Sequence, residues 1–146
     1  SIGKEVARKL SGFDVDITAF TQSGREGTVA ISQLDQHLPA LDIVILILPL
    51  SDSSRYMFSA ERLAKMKDGA LIINVARGPI IDTDALVKEL ERKRIYAAVD
   101  VTDPEPLPEN HPLWKAPNLI IVPHVGGNSA AFEPCIRPLF LDNLTY

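Results

Sequence analysis

The chain has 146 residues, 46% hydrophobic and 23% charged, with a formal net charge of -4. That length suits one domain with a sizeable core, and the mildly acidic balance argues against nucleic acid or an anionic membrane as a main partner. A single cysteine, Cys135, excludes an intrachain disulfide and fits a reducing, cytoplasmic compartment. No apolar run reaches the ~18 residues of a membrane helix, and the first residues lack a signal-peptide layout.

Taken in chain order, the pattern alternates. Val6, Ala7 and Leu10 recur at helical spacing and predict a helix over 3–11. Residues 15–20 read as a strand, 21–27 as a polar loop, and 31–38 as a short helix. Residues 43–48 form an aliphatic run between Asp42 and Pro49, the pattern of a strand buried on both faces. Ser59 is placed to cap a helix that Asp68-Gly69 would stop. Residues 70–75 are a second aliphatic strand. Asp82 can cap a helix running to about residue 94, with Leu86, Val87 and Leu90 on its inner stripe. A strand over 96–101 follows, then a loop over 103–118 with five prolines, then a short strand over 119–122. Residues 129–144 read as a last helix, with Pro134 and Pro138 inside it.

Strands separated by helices imply parallel βαβ units, so the expected fold class is α/β with a doubly wound parallel sheet. In such sheets ligands sit beyond the carboxyl ends of the strands. Arg77 follows the strand at 70–75, Asp100 and Glu105 follow the strand at 96–101, and His124 follows the strand at 119–122. An arginine offers a planar fork for a carboxylate. A histidine can move a proton near neutral pH, and a carboxylate beside it favours the protonated form. Any one of these residues is most often a solvated or structural group. Their joint placement on three strand ends is what points to a site for oxidising a 2-hydroxy acid. No metal is expected.

The same residues carry a family resemblance. The run Asn74-Val75-Ala76-Arg77-Gly78-Pro79 followed by Asp82, the run Asp100-Val101-Thr102-Asp103-Pro104-Glu105-Pro106-Leu107 with His111-Pro112-Leu113-Trp114, and the run from Asn118-Leu119 to Pro123-His124 and Gly127 stand in the order and spacing of the D-isomer-specific 2-hydroxyacid dehydrogenases. The chain resembles their dinucleotide-binding domain of Rossmann type. The resemblance implies that Arg77 binds the substrate carboxylate, His124 exchanges the hydroxyl proton, and Glu105 orients His124 and favours its charged form. Asp100 would accept a hydrogen bond from the nicotinamide carboxamide. Val75, Ala76, Gly126 and Gly127 would line the cofactor. Leu48 and Pro49, in Leu48-Pro49-Leu50, would face its adenosine side, and Ser54 stands where the family often has threonine.

Ser1-Ile2-Gly3 resembles the last three positions of the glycine-rich phosphate loop, with Gly3 letting the helix approach the sheet closely. The chain is therefore expected to lack the first strand and part of that loop, and residues 1–146 to be an incomplete dinucleotide-binding domain without its substrate domain. With a central strand missing, the strands at 15–20 and 43–48 are expected on one side of a gap and those at 70–122 on the other. The position where NAD-preferring members carry an aspartate is Thr21, followed by Gln22-Ser23-Gly24-Arg25. No carboxylate there opposes a 2′-phosphate, and Ser23 and Arg25 could bind one, so the cofactor is NAD or NADP with a lean to NADP.

Three departures stand out. Asp14 replaces a common glycine, Gly126-Gly127 is looser than the usual pair, and Pro134 and Pro138 predict a kinked or interrupted last helix, each at ~3 kcal/mol or more. The implied activity is hydride transfer between a nicotinamide cofactor and a small 2-hydroxy or 2-oxo acid, of glyoxylate/hydroxypyruvate reductase-like or phosphoglycerate dehydrogenase-like type, in a homodimeric parent. The alternatives are a catalytically inert fragment or a nucleotide-sensing module of corepressor type.

Overall fold

The structure is a computed structural model that describes residues 2–25, 27–127, 134, 136, 138 and 141. It opens with α1 (Ile2–Leu10) and the short strands β1 (Phe20–Thr21) and β2 (Val29–Ala30). Next comes a helical stretch made of α2 (Leu34–His37) between two 3-10 turns. Then β3 (Ile43–Leu46), α3 (Ala60–Lys65), β4 (Leu71–Asn74), α4 (Thr83–Glu91), β5 (Tyr96–Val99) and β6 (Leu119–Ile121) alternate as βαβ units. Of the helix expected over 129–144, only Pro134, Ile136, Pro138 and Leu141 are described, and these are helical. The rest of that expectation, and Cys135, lie outside the described residues.

Among the described residues every strand pairing is parallel, and the strands form two sheets: β1-β2, and β3-β4-β5-β6 in that order. The expected division of the sheet is therefore corrected. The strand at 43–46 pairs directly with the one at 71–74, Ile43 opposite Leu71 and Leu46 opposite Asn74. Only Phe20–Thr21 stands apart, joined to Val29–Ala30. The cause is β2, a strand two residues long, too short to show any period. It supplies the neighbour of β1 that 43–48 was expected to be. The strand expected over 15–20 shrinks to two residues because its partner is equally short, and residues 15–19 run exposed before it.

The core lies on one face of the larger sheet. Val44, Leu46, Ile72 and Ala97 point into a cluster with Leu63 and Met66 around α3 and Ala85, Leu86 and Leu90 of α4. Alternate positions on the same strands stay half-buried or exposed, Ile43 and Tyr96 among them. Burial on both faces, expected from the aliphatic runs, thus holds for one face only among the described residues. The aliphatic composition does not separate a covered face from a half-covered one. The expected helix stops and starts hold. Ser59 accepts the Arg62 N–H at 3.5 Å and Asp82 accepts the Ala85 N–H at 3.0 Å, each satisfying a first-turn donor. Gly69 takes the left-handed φ of 81° that a chain reversal needs.

Arg94 locks this half together. Its Nη1 donates to the Met66 carbonyl at 2.6 Å, and its guanidinium also bonds the Leu63 carbonyl and the buried Glu89 carboxylate. A cation here satisfies the last carbonyls of α3 while it neutralises an acid on α4. By contrast α1 has Val6, Ala7 and Leu10 on its inner stripe, as expected, yet none of its residues is fully buried. A Cβ on Gly3 would meet nothing within 4 Å, so the close helix-to-sheet approach expected there is absent among the described residues. No helix of the described residues is long and apolar enough to cross a membrane.

Candidate active site

The larger sheet brings three strand ends into line. Asn74, Val99 and Ile121 are register partners across β4, β5 and β6. Arg77, Asp100 and His124 therefore leave the sheet along one edge, at one to three residues past that line.

At the end of β4, Asn74 is 1% exposed and acts as a brace. Its Nδ2 donates to the Arg77 carbonyl at 2.9 Å and its Oδ1 accepts the Ala76 N–H at 3.0 Å. This fixes the turn that carries Arg77. The Arg77 guanidinium is exposed and donates to the Ala76 carbonyl at 2.6 Å, so its fork remains open to solvent and to an anion. A Cβ on Gly78 would lie 1.9 Å from the Thr102 carbonyl oxygen, so only glycine allows the segment after β4 to lie against the segment after β5.

Beyond β6, His124 has a left-handed backbone with φ 51°. Histidine visits that region more readily than most residues, at a cost of order 1–3 kcal/mol that surrounding contacts must offset. One such contact is 2.5 Å long, from His124 Nδ1 to Glu105 Oε1, with both side chains partly exposed. With a carboxylate as acceptor, Nδ1 carries the proton and donates. Nε2 is then the ring atom free to take or give a proton at the strand edge. The Asp100 carboxylate accepts the Val125 N–H at 2.9 Å and the Gly126 N–H at 3.0 Å. Arg77, Glu105 and His124 are thus seated on adjacent strand ends, and Glu105 touches His124 directly.

The other expected cofactor residues divide. Thr21 Oγ1 pairs with Thr28 Oγ1 at 2.7 Å and accepts the Gly24 N–H at 3.1 Å, and Arg25 Nε donates to Ser23 Oγ at 2.9 Å. These bonds gather three hydroxyl groups, of Thr21, Ser23 and Thr28, and a guanidinium around the exposed loop after β1. Gly24 turns it with φ 66°, where a Cβ would lie 2.8 Å from the Ala30 nitrogen. Leu48 is half-buried against the core and Pro49 is exposed. Val75 is exposed, Ala76 is buried, and Gly127 has open space around it. Ile2 is exposed, whereas Ser1 lies outside the described residues. Ser54 turns inward instead. It is 3% exposed, donates to the Pro49 carbonyl at 2.9 Å and accepts the Ser51 N–H at 2.8 Å. It braces the Leu48-Pro49-Leu50 turn from within.

An open pocket of about 410 Å³ lies at the start of α4, lined by Tyr56, Asp82, Thr83, Asp84, Asp103, Pro104 and His111. Three carboxylates on its wall repel an anionic acid, so it does not compete with the Arg77 edge as a place for one. Sequence reasoning gave no role to Asn74 as a brace or to Gly78 as a contact point. The signal for Asn74 was present, since an asparagine ending a strand commonly bonds the backbone two residues on. Gly78 is marked only by its place after Arg77 in the family run, which does not say what it touches.

A parallel α/β sheet with these charged groups at its carboxyl edge is the layout of a dinucleotide-binding dehydrogenase domain. The sequence profile for the D-isomer specific 2-hydroxyacid dehydrogenase NAD binding domain matches residues 1–126, and the chain belongs to that family. It is 42% identical over 139 residues to the glyoxylate reductase of Thermofilum pendens, covering 90% of this chain and 40% of that protein. The NADPH-dependent glyoxylate/hydroxypyruvate reductase of Sinorhizobium meliloti, solved with NADP and malonate, superposes with a TM-score of 0.86 at 34% identity, over 99% of this chain and 46% of that one. Phosphoglycerate dehydrogenase of Lactobacillus plantarum gives a TM-score of 0.85 at 33% identity, over 99% of this chain and 48% of that one. The chain spans about half or less of the length of these relatives.

Proposed function

We propose that the protein carrying this chain is an NAD(P)-dependent oxidoreductase acting on a small 2-hydroxy or 2-oxo acid, and that residues 1–146 belong to its nucleotide-binding domain. The observation that carries the reading is the 2.5 Å contact between His124 and Glu105, one strand away from the segment that bears the exposed Arg77. Arg77 grips the substrate carboxylate through its planar fork. His124 Nε2 gives a proton to the carbonyl oxygen in reduction and takes it back in oxidation. Glu105 holds the imidazole orientation through its bond to Nδ1. The nicotinamide supplies or accepts the hydride when bound. Asp100, Val75, Ala76, Gly126 and Gly127 sit on the edge where the nicotinamide half would lie.

The Thr21–Arg25 loop fits a phosphate-bearing ribose. Its hydroxyls and its guanidinium are exposed, and no carboxylate stands between Thr21 and Arg25. This supports NADP over NAD. A cytoplasmic homodimer with a small-molecule substrate completes the reading, in line with the family resemblance.

The test is NADPH oxidation by the full-length protein with glyoxylate or hydroxypyruvate. Arg77→Ala is expected to lower kcat/KM by ~30- to 1000-fold, the loss of a charge-assisted pair worth ~2–4 kcal/mol in the transition state. Unchanged kcat/KM in that variant would remove Arg77 from the site.

A further inference from the structure

We propose that Asp100 is a positioning residue that holds the His124 turn in place through the backbone of Val125 and Gly126. The proposal rests on reading His124 as the proton-transfer group. Both oxygens of the Asp100 carboxylate are engaged, Oδ1 by the Val125 N–H at 2.9 Å and Oδ2 by the Gly126 N–H at 3.0 Å. Two successive amides aimed at one anion form a small cradle, and such charge-assisted bonds are stronger than those between neutral groups. The two donors belong to the residues directly after His124, whose left-handed backbone persists only where neighbours enforce it. Upstream, the His124 N–H donates to the Val122 carbonyl at 3.0 Å. Downstream, the enforcing contact is Asp100.

Asp100 is itself anchored. Its N–H donates to the Asn74 carbonyl at 2.9 Å, which ties it to the end of β4. The cradle also fixes what can stand at position 126, because a Cβ there would lie 2.7 Å from Asp100 Oδ2. The carboxylate is therefore a fixed point on the sheet, and the turn bearing the imidazole hangs from it. A role limited to accepting a bond from the nicotinamide carboxamide would require neither backbone bond. The two roles differ in what they move: a clamp sets kcat through the placement of Nε2, whereas a cofactor acceptor sets cofactor affinity.

Asp100→Asn keeps the shape but turns one acceptor into a donor facing an N–H. In the full-length protein, kcat with a 2-oxo acid is expected to fall about 10- to 100-fold while the cofactor Kd changes less than about threefold, as for a misplaced catalytic group. Gly126→Ala should lower kcat as well, with the Asp100 side chain intact. The amides of Val125 and Gly126 belong to exposed residues, so slow hydrogen exchange there reports the bonds to Asp100. Exchange should be slow in the wild type and at least about tenfold faster in Asp100→Asn. Wild-type amides exchanging at the free-chain rate would overturn the proposal, even if the variant did not fold. So would a cofactor Kd that weakens in step with kcat. Wild-type protein without any turnover would instead overturn the reading of His124, an outcome the exchange rates separate from failure of the clamp.

Discussion

The two sheets are built on different terms. Residues 34–127 hold every fully buried side chain of the described chain, whereas residues 2–33 hold none. The larger half is set by packing: Leu63, Ile72, Ile80 and Leu90 are 0% exposed. The smaller half leans on that core only through part-buried side chains such as Phe20 and Ile31, and its loop is tied by polar bonds at the surface, such as the Thr21–Thr28 and Ser23–Arg25 pairs. The lesson is a division of labour. The groups read as chemical stand on a rigid frame, and the groups read as choosing the cofactor stand on a loop that can change at little cost in stability.

The largest expected effect sharpens the chemical side. His124→Ala in the full-length protein should lose ~10²- to 10⁴-fold in turnover while still binding cofactor, because a general acid contributes to the reaction more than to dinucleotide affinity. Lost cofactor binding in a folded variant would move His124 from chemistry to cofactor recognition. The packing contrast comes next. Leu63→Ala should cost ~2–5 kcal/mol in denaturant unfolding as a buried large-to-small change. Leu10→Ala, on the half-buried stripe of α1, should cost less than ~1.5 kcal/mol. Equal losses would erase the distinction between the two halves.

A smaller effect probes selectivity. Arg25→Ala should weaken NADP binding by ~10-fold or more and leave NAD nearly unchanged, since only the former carries the 2′-phosphate that a guanidinium grips. Equal loss for both cofactors would take the 2′-phosphate off this loop.

The smallest effect is in pH. Hydrogen bonds from Lys65, then from Arg62, hold the Asp35 carboxyl below the ordinary aspartate range and tie α2 to α3. A folded value below the unfolded one gives stability that is complete above the ordinary aspartate value and is lost as pH falls through the folded value. Asp35→Asn should therefore lower the melting temperature at pH 7, and the gap to the wild type should close on acidification below about pH 4. A gap independent of pH would show that the ion pairs do not couple to folding.

What the sequence made legible follows the same division. The aliphatic runs at β3 and β4 stand out because apolar side chains must be buried and because Pro49 after the one and Gly69 before the other bound them sharply. Ser59 and Asp82 are legible as caps since an N-terminal turn has donors that a nearby oxygen can satisfy. Val29–Ala30 is illegible, because two residues carry no period, and its omission displaced β3 across the expected gap. In the site, Arg77, Glu105 and His124 could be named from motif and strand-end position. The Asn74 brace had a local signal, an asparagine ending a strand, whereas the inward turn of Ser54 and the hold of Asp100 on the His124 turn had none. Each of these two is a side chain bonding to backbone, and its partner depends on how a loop returns in three dimensions.

The absence of a side chain at Gly78 has a mechanical consequence. With a backbone carbonyl occupying the space where its Cβ would be, the stretch after β4 and the stretch after β5 meet main chain to main chain along a seam. Side chains can rotate to absorb a displacement, but two touching backbones transmit it. The arm that presents Arg77 and the arm that leads to Glu105 therefore shift as one body. Any cleft-closing motion of a larger protein built on this domain has to be hinged outside that seam.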